Sequence, residues 1–279
     1  MRVRIALIQP LRKGLNEDKN RMVEYLELAI KNGAKIICFP EGYPGPFAED
    51  HFSINPTEEA KLLGSIESYE TFKTIRDTSK REGVYIIAGF AERINDDIYN
   101  TLAFLRPDGQ YEKYYKVHPA SFETFAGGRR PATGREFKTF RTEYGVIGVA
   151  ICWEAQFPEI PRILAINGAE IMFFPTGGRL GALRDTWKTI IWARAIENLA
   201  YTCAVVNLYG EEEGFAIVAS PEKILVDSTQ EGVIIADLDL DRIRKMREAE
   251  EDLESKVFLS IPGLLKFRKG HLYKELCEK

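Results

Sequence analysis

The chain has 279 residues, 45% of them hydrophobic, and can therefore bury a substantial core. Its formal net charge of -4, without a basic stripe, excludes a nucleic acid or a membrane surface as the expected partner. Four cysteines and three histidines lie far apart in sequence, which excludes a disulfide framework and leaves no spacing for a metal site.

The N-terminal residues 3–9 form an apolar run that predicts a first buried strand. This run is too short for a signal peptide, and no stretch approaches the length of a membrane span, so we expect a cytoplasmic protein. No composition break divides the chain, which predicts a single domain over 1–279. Within it, the apolar tail predicts that residues 240–279 form a C-terminal extension packed on the domain or on a neighbouring subunit.

The next residues predict a βαβ unit. Residues 16–32 have helical spacing of apolar side chains with Asn16 as the cap, and residues 34–39 predict a second strand parallel to the first. Glu41 follows this strand directly, at the sheet edge where open α/β sheets bind their ligands. A solvated glutamate in a surface turn is the competing interpretation of Glu41.

A predicted hairpin brings two more charged residues to the end of a strand. The elements around it are a helix and three strands, over residues 67–83, 84–90, 99–105 and 111–117. Pro107-Asp-Gly109 is a strong turn signal between the last two strands. Lys116 lies at the end of the hairpin and Glu123 in the loop after it, although a solvated lysine is the usual residue at such a position.

Cys152 ends a predicted buried strand that begins at Gly145. Pro158 marks the start of a predicted helix over 157–168, so the chain turns sharply from strand into helix. A thiol on such a turn lies near the free N–H groups of a helix start, which favours a thiolate nucleophile. A cysteine at a strand end, taken alone, is more often a packing residue.

The second half repeats the alternation of strands and helices. Its predicted elements cover residues 170–174, 183–199, 201–207, 214–220, 223–227 and 232–238, followed by a charged helix from Asp239. Two βαβ-rich halves predict an α/β fold, a four-layer α-β-β-α sandwich of two mixed sheets with helices outside. No strand is followed by the glycine motif of a dinucleotide site or by a P-loop lysine.

The candidate residues stand in three sequence motifs: Phe39-Pro-Glu41-Gly, Tyr115-Lys116-Val-His and Ile151-Cys152-Trp-Glu-Ala-Gln-Phe-Pro-Glu159. Together the motifs resemble those of the nitrilase superfamily of carbon–nitrogen hydrolases, which carry a Glu-Lys-Cys triad. Supporting matches are Asn100, Thr133-Gly134, Trp192–Asn198, Asn207 and Gly270–Tyr273. One departure is the segment 211–220, which lacks a glycine- and serine-rich pattern and predicts unusual loops on the substrate side.

The resemblance implies a cofactor-free hydrolase that forms a homodimer or a higher even-numbered oligomer. Acyl transfer then gives each residue a role: Cys152 attacks, and Glu41 takes its proton and later donates one to the leaving group. Lys116 and the backbone N–H of Trp153 stabilise the negative charge of the adduct. Glu123, matched to a second glutamate of many members, keeps Lys116 charged and orients substrate or water.

The expected substrate is a small amide or N-carbamoyl compound, hydrolysed through a thioester with release of ammonia or amine. A nitrile is the competing substrate, since the same triad suits both. Candidate pocket residues are Tyr43, Phe47, His118, Phe125, Trp153, Gly178 and Arg179. Three more functions fit parts of the sequence: a peptidase with His118 as base, an acyl transferase, and an inactive binding module on the same fold.

Overall fold

The computed structural model describes residues 1–44, 62–121, 123–124, 129–178, 180–209, 214–248, 265 and 268–274. The first sheet contains β1 Arg2–Gln9, β2 Ile36–Cys38, β3 Tyr85–Ile94, β4 Asp97–Leu105, β5 Tyr111–Tyr115 and β12 Gly232–Asp239. The second contains β6 Thr139–Thr142, β7 Gly145–Val149, β8 Ile171–Thr176, β9 Tyr201–Val206, β10 Ala216–Ala219 and β11 Ile224–Ser228. The α-helices within the described ranges are α1 Leu15–Lys31, α2 Glu70–Glu82, α3 Glu159–Ile166, α4 Arg184–Asn198 and α5 Leu240–Glu248.

The centre of each sheet is parallel and its outer strands are antiparallel. In the first sheet, ordered β12-β1-β2-β3-β4-β5, β2 lies parallel between β1 and β3. In the second, ordered β11-β10-β9-β8-β7-β6, β8 lies parallel between β7 and β9. Parallel strands end at the same edge of a sheet, so the loops after β2, β7 and β8 can meet where the two sheets adjoin.

Apolar side chains from the facing sides of the two sheets form the central core. Phe104 of β4 stacks on Phe140 of β6 with ring centroids 4.3 Å apart, which joins the first sheet to the second. Two further clusters pack α1 and α2 on the outer face of the first sheet and α3 and α4 on that of the second. The predicted four-layer α-β-β-α sandwich is confirmed.

Two local predictions differ from the structure. The N-cap of α1 is Gly14 at φ 102, so the prediction of Asn16 as the cap is wrong. Glycine adopts this left-handed conformation without a steric penalty, and the carbonyl of Gly14 accepts the Asp18 amide at 2.9 Å. Strand β6 is absent from the predicted elements because four residues carry too little periodicity to indicate a strand.

Arg247 attaches α5 to the ends of other elements. Its guanidinium donates to the carbonyls of Leu199 at 2.8 Å and Asn198 at 3.3 Å, and burial lowers its pKa to about 10. We expect Arg247→Ala to lower the free energy of unfolding by about 2 kcal/mol, because buried carbonyls lose a charged donor. Urea denaturation measures this loss. Lys245→Ala, at an exposed position of the same helix, is the control, and an equal loss there would contradict the prediction.

Candidate active site

Glu41 follows β2 and is buried, with 4% of its surface exposed. The turn that carries it lies against β3, where a Cβ at Gly89 would come within 2.5 Å of the Gly42 amide nitrogen. Asn207, which follows β9 of the other sheet, donates its side-chain amide to the Glu41 carbonyl at 3.0 Å. Both sheets therefore hold this turn in place.

Lys116 follows β5 and is 1% exposed. Its ammonium donates to Glu41 Oε1 at 2.8 Å and to Glu123 Oε2 at 2.6 Å. Burial alone would lower the pKa of Lys116, but the charges of Glu41, Cys152 and Glu123 outweigh it and hold that pKa well above its usual value. The ammonium is therefore charged at neutral pH and faces three groups that carry or develop negative charge.

The two carboxylates beside Lys116 are held by further donors. Asn100 of β4 donates one side-chain amide to Glu41 Oε1 at 2.7 Å and to Glu123 Oε1 at 2.7 Å. The amide of Gly177, after β8, donates to Glu41 Oε2 at 2.8 Å. The first sheet thus supplies a donor to Oε1 and the second sheet supplies a donor to Oε2. These contacts set the direction of the Glu41 carboxylate before any substrate arrives.

Cys152 lies in a strained turn rather than at the end of a strand. Strand β7 ends at Val149, and Cys152 has φ 50, a left-handed conformation that residues with a side chain rarely adopt. A 3-10 helix, Cys152–Gln156, follows before α3, so the predicted direct passage into a helix at residue 157 is wrong. In this turn, the thiol is close enough to Lys116 to raise the pKa of the ammonium.

The backbone amide of Trp153 comes directly after the thiol. In the 3-10 helix, the amide of Glu154 donates to the Ile151 carbonyl at 3.1 Å. Trp153 comes one residue earlier, in the first turn, where helix N–H groups have no partner within the helix. It is therefore suited to receive a negatively charged oxygen that forms next to Cys152.

Cys152 also differs from the two other described cysteines in its exposure. Cys38 and Cys203 are buried in the central core, and burial raises the pKa of both thiols. Cys152 is only partly buried. A raised pKa and a closed environment make the core thiols unreactive, which leaves Cys152 as the thiol suited to chemistry among these three.

The remaining predicted pocket residues lie in different environments. Tyr43 is fully buried on the helix side of the first sheet, where it stacks on Phe39 at 5.6 Å, so its position is that of a core residue. His118 packs between the rings of Phe157, 4.8 Å away, and Phe137, 6.0 Å away. Trp153 is exposed and Gly178 is partly buried. Phe47, Phe125 and Arg179 lie outside the described residues.

Three residues of the site have no role that the sequence alone predicts: Asn100, Gly177 and Asn207. Asn100 and Asn207 match the family pattern, which does not give their contacts. A buried-strand pattern with an asparagine inside it, as at Asn100, is a usable signal, because a buried amide must have hydrogen-bond partners. Gly177 acts through its backbone, so its residue type carries no signal of that contact.

Gly134 fixes the backbone next to Lys116. Its amide donates to the Lys116 carbonyl at 2.9 Å, and a Cβ at this position would lie 2.0 Å from the Tyr115 carbonyl oxygen. We expect Gly134→Ala to displace the Lys116 backbone and to reduce kcat/KM by about 100-fold, the cost of a small misplacement of reacting groups. Steady-state assays measure the effect. The control is Thr133→Ala at the neighbouring position, and an equal reduction there would contradict the prediction.

The described residues contain no group of three or more His, Cys, Asp and Glu side chains arranged to hold a metal ion. None of the helices in the described ranges is long and apolar enough to cross a membrane.

Comparisons with known proteins agree with the motifs and the fold. The chain is similar to human omega-amidase NIT2, 26% identical over 260 residues that cover 88% of this chain and 91% of the relative. It is similar to the deaminated glutathione amidase of Synechocystis, 27% identical over 273 residues that cover 91% and 97%. The fold resembles that of a carbon-nitrogen hydrolase from Helicobacter pylori G27, with a TM-score of 0.81 and 20% identity over 100% of this chain and 99% of that chain. Residues 4–248 match the carbon-nitrogen hydrolase family, to which this chain therefore belongs.

Proposed function

We propose that this protein is an amidase that hydrolyses a small amide or N-carbamoyl compound through a thioester on Cys152. The observation that carries the proposal is the contact of one buried ammonium, that of Lys116, with the carboxylates of Glu41 and Glu123 beside the Cys152 turn. A base, a cation and a thiol at one point supply what acyl transfer needs.

In the first half of the reaction, Glu41 takes the proton of the Cys152 thiol and the sulfur attacks the carbonyl carbon. The C=O bond opens to a negatively charged oxygen, which Lys116 and the Trp153 amide stabilise. The tetrahedral adduct then breaks its C–N bond. Glu41 returns the proton to the nitrogen, so ammonia or an amine leaves and the acyl group remains on sulfur as a thioester.

In the second half, water replaces the leaving group. Glu41 removes a proton from water, and the hydroxyl oxygen attacks the thioester carbon. The C–S bond breaks, the proton passes to the sulfur, and the carboxylic acid leaves. Lys116 stays protonated throughout, because its raised pKa opposes loss of the proton at neutral pH.

Glu41→Gln tests the proton-transfer role. The amide keeps the size of the side chain and a partner for Lys116, but it cannot accept a proton from the thiol. We expect kcat to fall by about 1000-fold or more, within the range that general acid–base catalysis supplies. The matched change Glu67→Gln, in a carboxylate that bonds Lys113 away from the site, should leave kcat unchanged. Loss of activity in both variants would indicate a general sensitivity to glutamate replacement.

The choice of an amide over a nitrile rests on the two curated relatives, both of which are amidases by name. The test is ammonia release from a panel of substrates. The panel contains aliphatic and aromatic amides, each with and without a carboxylate elsewhere in the molecule, N-carbamoyl compounds, and the matching nitriles. Each reaction is run beside Cys152→Ala. We expect amide or carbamoyl turnover that the variant lacks, whereas faster turnover of a nitrile than of its own amide would favour a nitrilase.

We also propose that the protein is a homodimer or a higher even-numbered oligomer located in the cytoplasm. The support for assembly is the family. The apolar tail 257–267, which also motivates the proposal, lies outside the described residues except for Leu265. Leu265 packs against the cluster beneath α3 and α4, so the tail contacts its own domain at that point. Light scattering at micromolar concentration is expected to give a multiple of the 31.7 kDa chain mass, and a monomeric mass would reject the proposal.

A further inference from the structure

Glu154 is a fully buried carboxylate that the catalytic steps above do not use. Four donors converge on it. The Tyr114 hydroxyl lies 2.8 Å from both of its oxygens, and the Ile151 amide donates to Oε2 at 2.7 Å. The amides of Val117 and His118 donate to Oε1 at 2.8 and 3.1 Å. Burial raises the pKa of Glu154, and the bonds from Ile151, Tyr114 and His118 oppose that rise. Together the four donors fix the position of the carboxylate.

These donors come from the two segments that carry the reacting groups. Ile151 directly precedes Cys152, and Val117 directly follows Lys116. The first segment leaves β7 of the second sheet and the other leaves β5 of the first sheet. One side chain therefore ties the turn of the thiol to the strand end of the ammonium.

We propose that Glu154 is a positioning residue that sets the separation between the Lys116 ammonium and the Cys152 sulfur. The inference rests on the proposed function in taking Cys152 as the nucleophile. Because Cys152 is held at a strained φ of 50, its turn needs fixed contacts on both sides. Glu154 supplies the contact toward Lys116. Arg194 of α4 supplies one on the far side, where it donates to the Ala155 carbonyl at 3.0 Å.

The proposal predicts the sign of a pH effect on the thiol. Charged or titratable groups near the turn are the following: Glu41, Lys116, Glu123, Tyr114, His118, Glu154 and Arg194. If Glu154 positions the turn, its loss moves the thiol away from the Lys116 cation, and the thiolate forms at higher pH. If Glu154 acted only through its negative charge, its removal would have the opposite effect and the thiolate would form at lower pH.

The experiment is alkylation of the full-length protein by iodoacetamide as a function of pH, with the modified peptide identified by mass spectrometry. In Glu154→Gln we expect the pH midpoint of Cys152 alkylation to rise by about one unit, so that the rate at neutral pH falls about tenfold. Tyr114→Phe removes one donor and keeps the carboxylate, and we expect a smaller shift in the same direction. If Glu154→Gln does not fold, Tyr114→Phe alone decides.

The control is Glu92→Gln, another fully buried carboxylate, which accepts from Lys113 at 2.6 Å. Glu92 accepts a hydrogen bond from Thr101, the neighbour of Asn100 in β4. Because successive residues of a strand point to opposite faces, Glu92 lies on the face of the sheet opposite the site. An unchanged or lower midpoint in both site variants, or an equal rise in Glu92→Gln, would overturn the proposal. Failure of the proposed function is a different result: in the parent protein, Cys152 would react no faster than Cys203.

Discussion

Cys152→Ala is expected to abolish turnover of every substrate that the parent protein hydrolyses. The variant removes one sulfur from a partly buried side chain, so the fold and the Glu41–Lys116–Glu123 contacts have no reason to change. Loss of a covalent nucleophile removes the thioester route entirely. We therefore expect ammonia release at the background rate, together with a thermal unfolding midpoint close to that of the parent.

Cys203→Ala is the matched control for this variant. Cys203 lies in the central core, so its replacement leaves a small cavity and lowers stability, while Glu41, Lys116 and Cys152 are all retained. We therefore expect Cys152→Ala to be inactive and as stable as the parent, and Cys203→Ala to be active and less stable. Activity of Cys152→Ala within about tenfold of the parent would contradict a nucleophilic role, given what covalent catalysis supplies.

Lys116→Ala is expected to lose both activity and stability. The transition state loses a charged donor, which costs about 3 kcal/mol by analogy with other oxyanion donors. The folded state keeps Glu41 and Glu123 buried without their cation, and removal of one partner from a buried ion pair costs about 3–5 kcal/mol. Urea denaturation and kcat/KM measure the two effects on the same preparation.

The pH dependence gives a second check on this variant. Because the folded-state pKa of Lys116 lies above that of an unfolded lysine, its stabilisation of the parent is complete at neutral pH. It is lost only in strongly alkaline solution, as the pH rises through the folded-state pKa. The stability difference between parent and Lys116→Ala should therefore stay constant from about pH 7 to pH 9. A difference that disappears in this range would contradict a charged Lys116.

The sequence indicated the reacting groups because each follows a strand whose pattern is readable. Glu41 and Cys152 come after apolar runs, and Lys116 ends a hairpin with a strong turn signal. The contacts between them were beyond local reasoning. Gly177 reaches Glu41 through a backbone amide 136 residues away, and the register of two facing sheets, which no short segment encodes, decides that contact.

The sequence predicts the layers of the fold more completely than it predicts where each strand and helix ends. Alternating strands and helices predicted the layers, since periodicity reports which faces are buried. The left-handed φ of Cys152 had no local signal, because cysteine does not favour that conformation. Glu154, three residues after Ile151, accounts in part for the left-handed turn. It accepts hydrogen bonds from two segments and so holds a geometry that the local chain would not adopt alone.

The most direct test of thioester formation is to detect the acyl group on Cys152. The protein is mixed with the best amide of the panel, quenched in acid during turnover, and its peptides are analysed by mass spectrometry. We expect the peptide with Cys152 to gain the mass of the acyl group less one hydrogen, and Cys152→Ala to gain nothing and release no ammonia. Release of ammonia by Cys152→Ala at the parent rate, without an adduct on either protein, would contradict a nucleophilic role for Cys152.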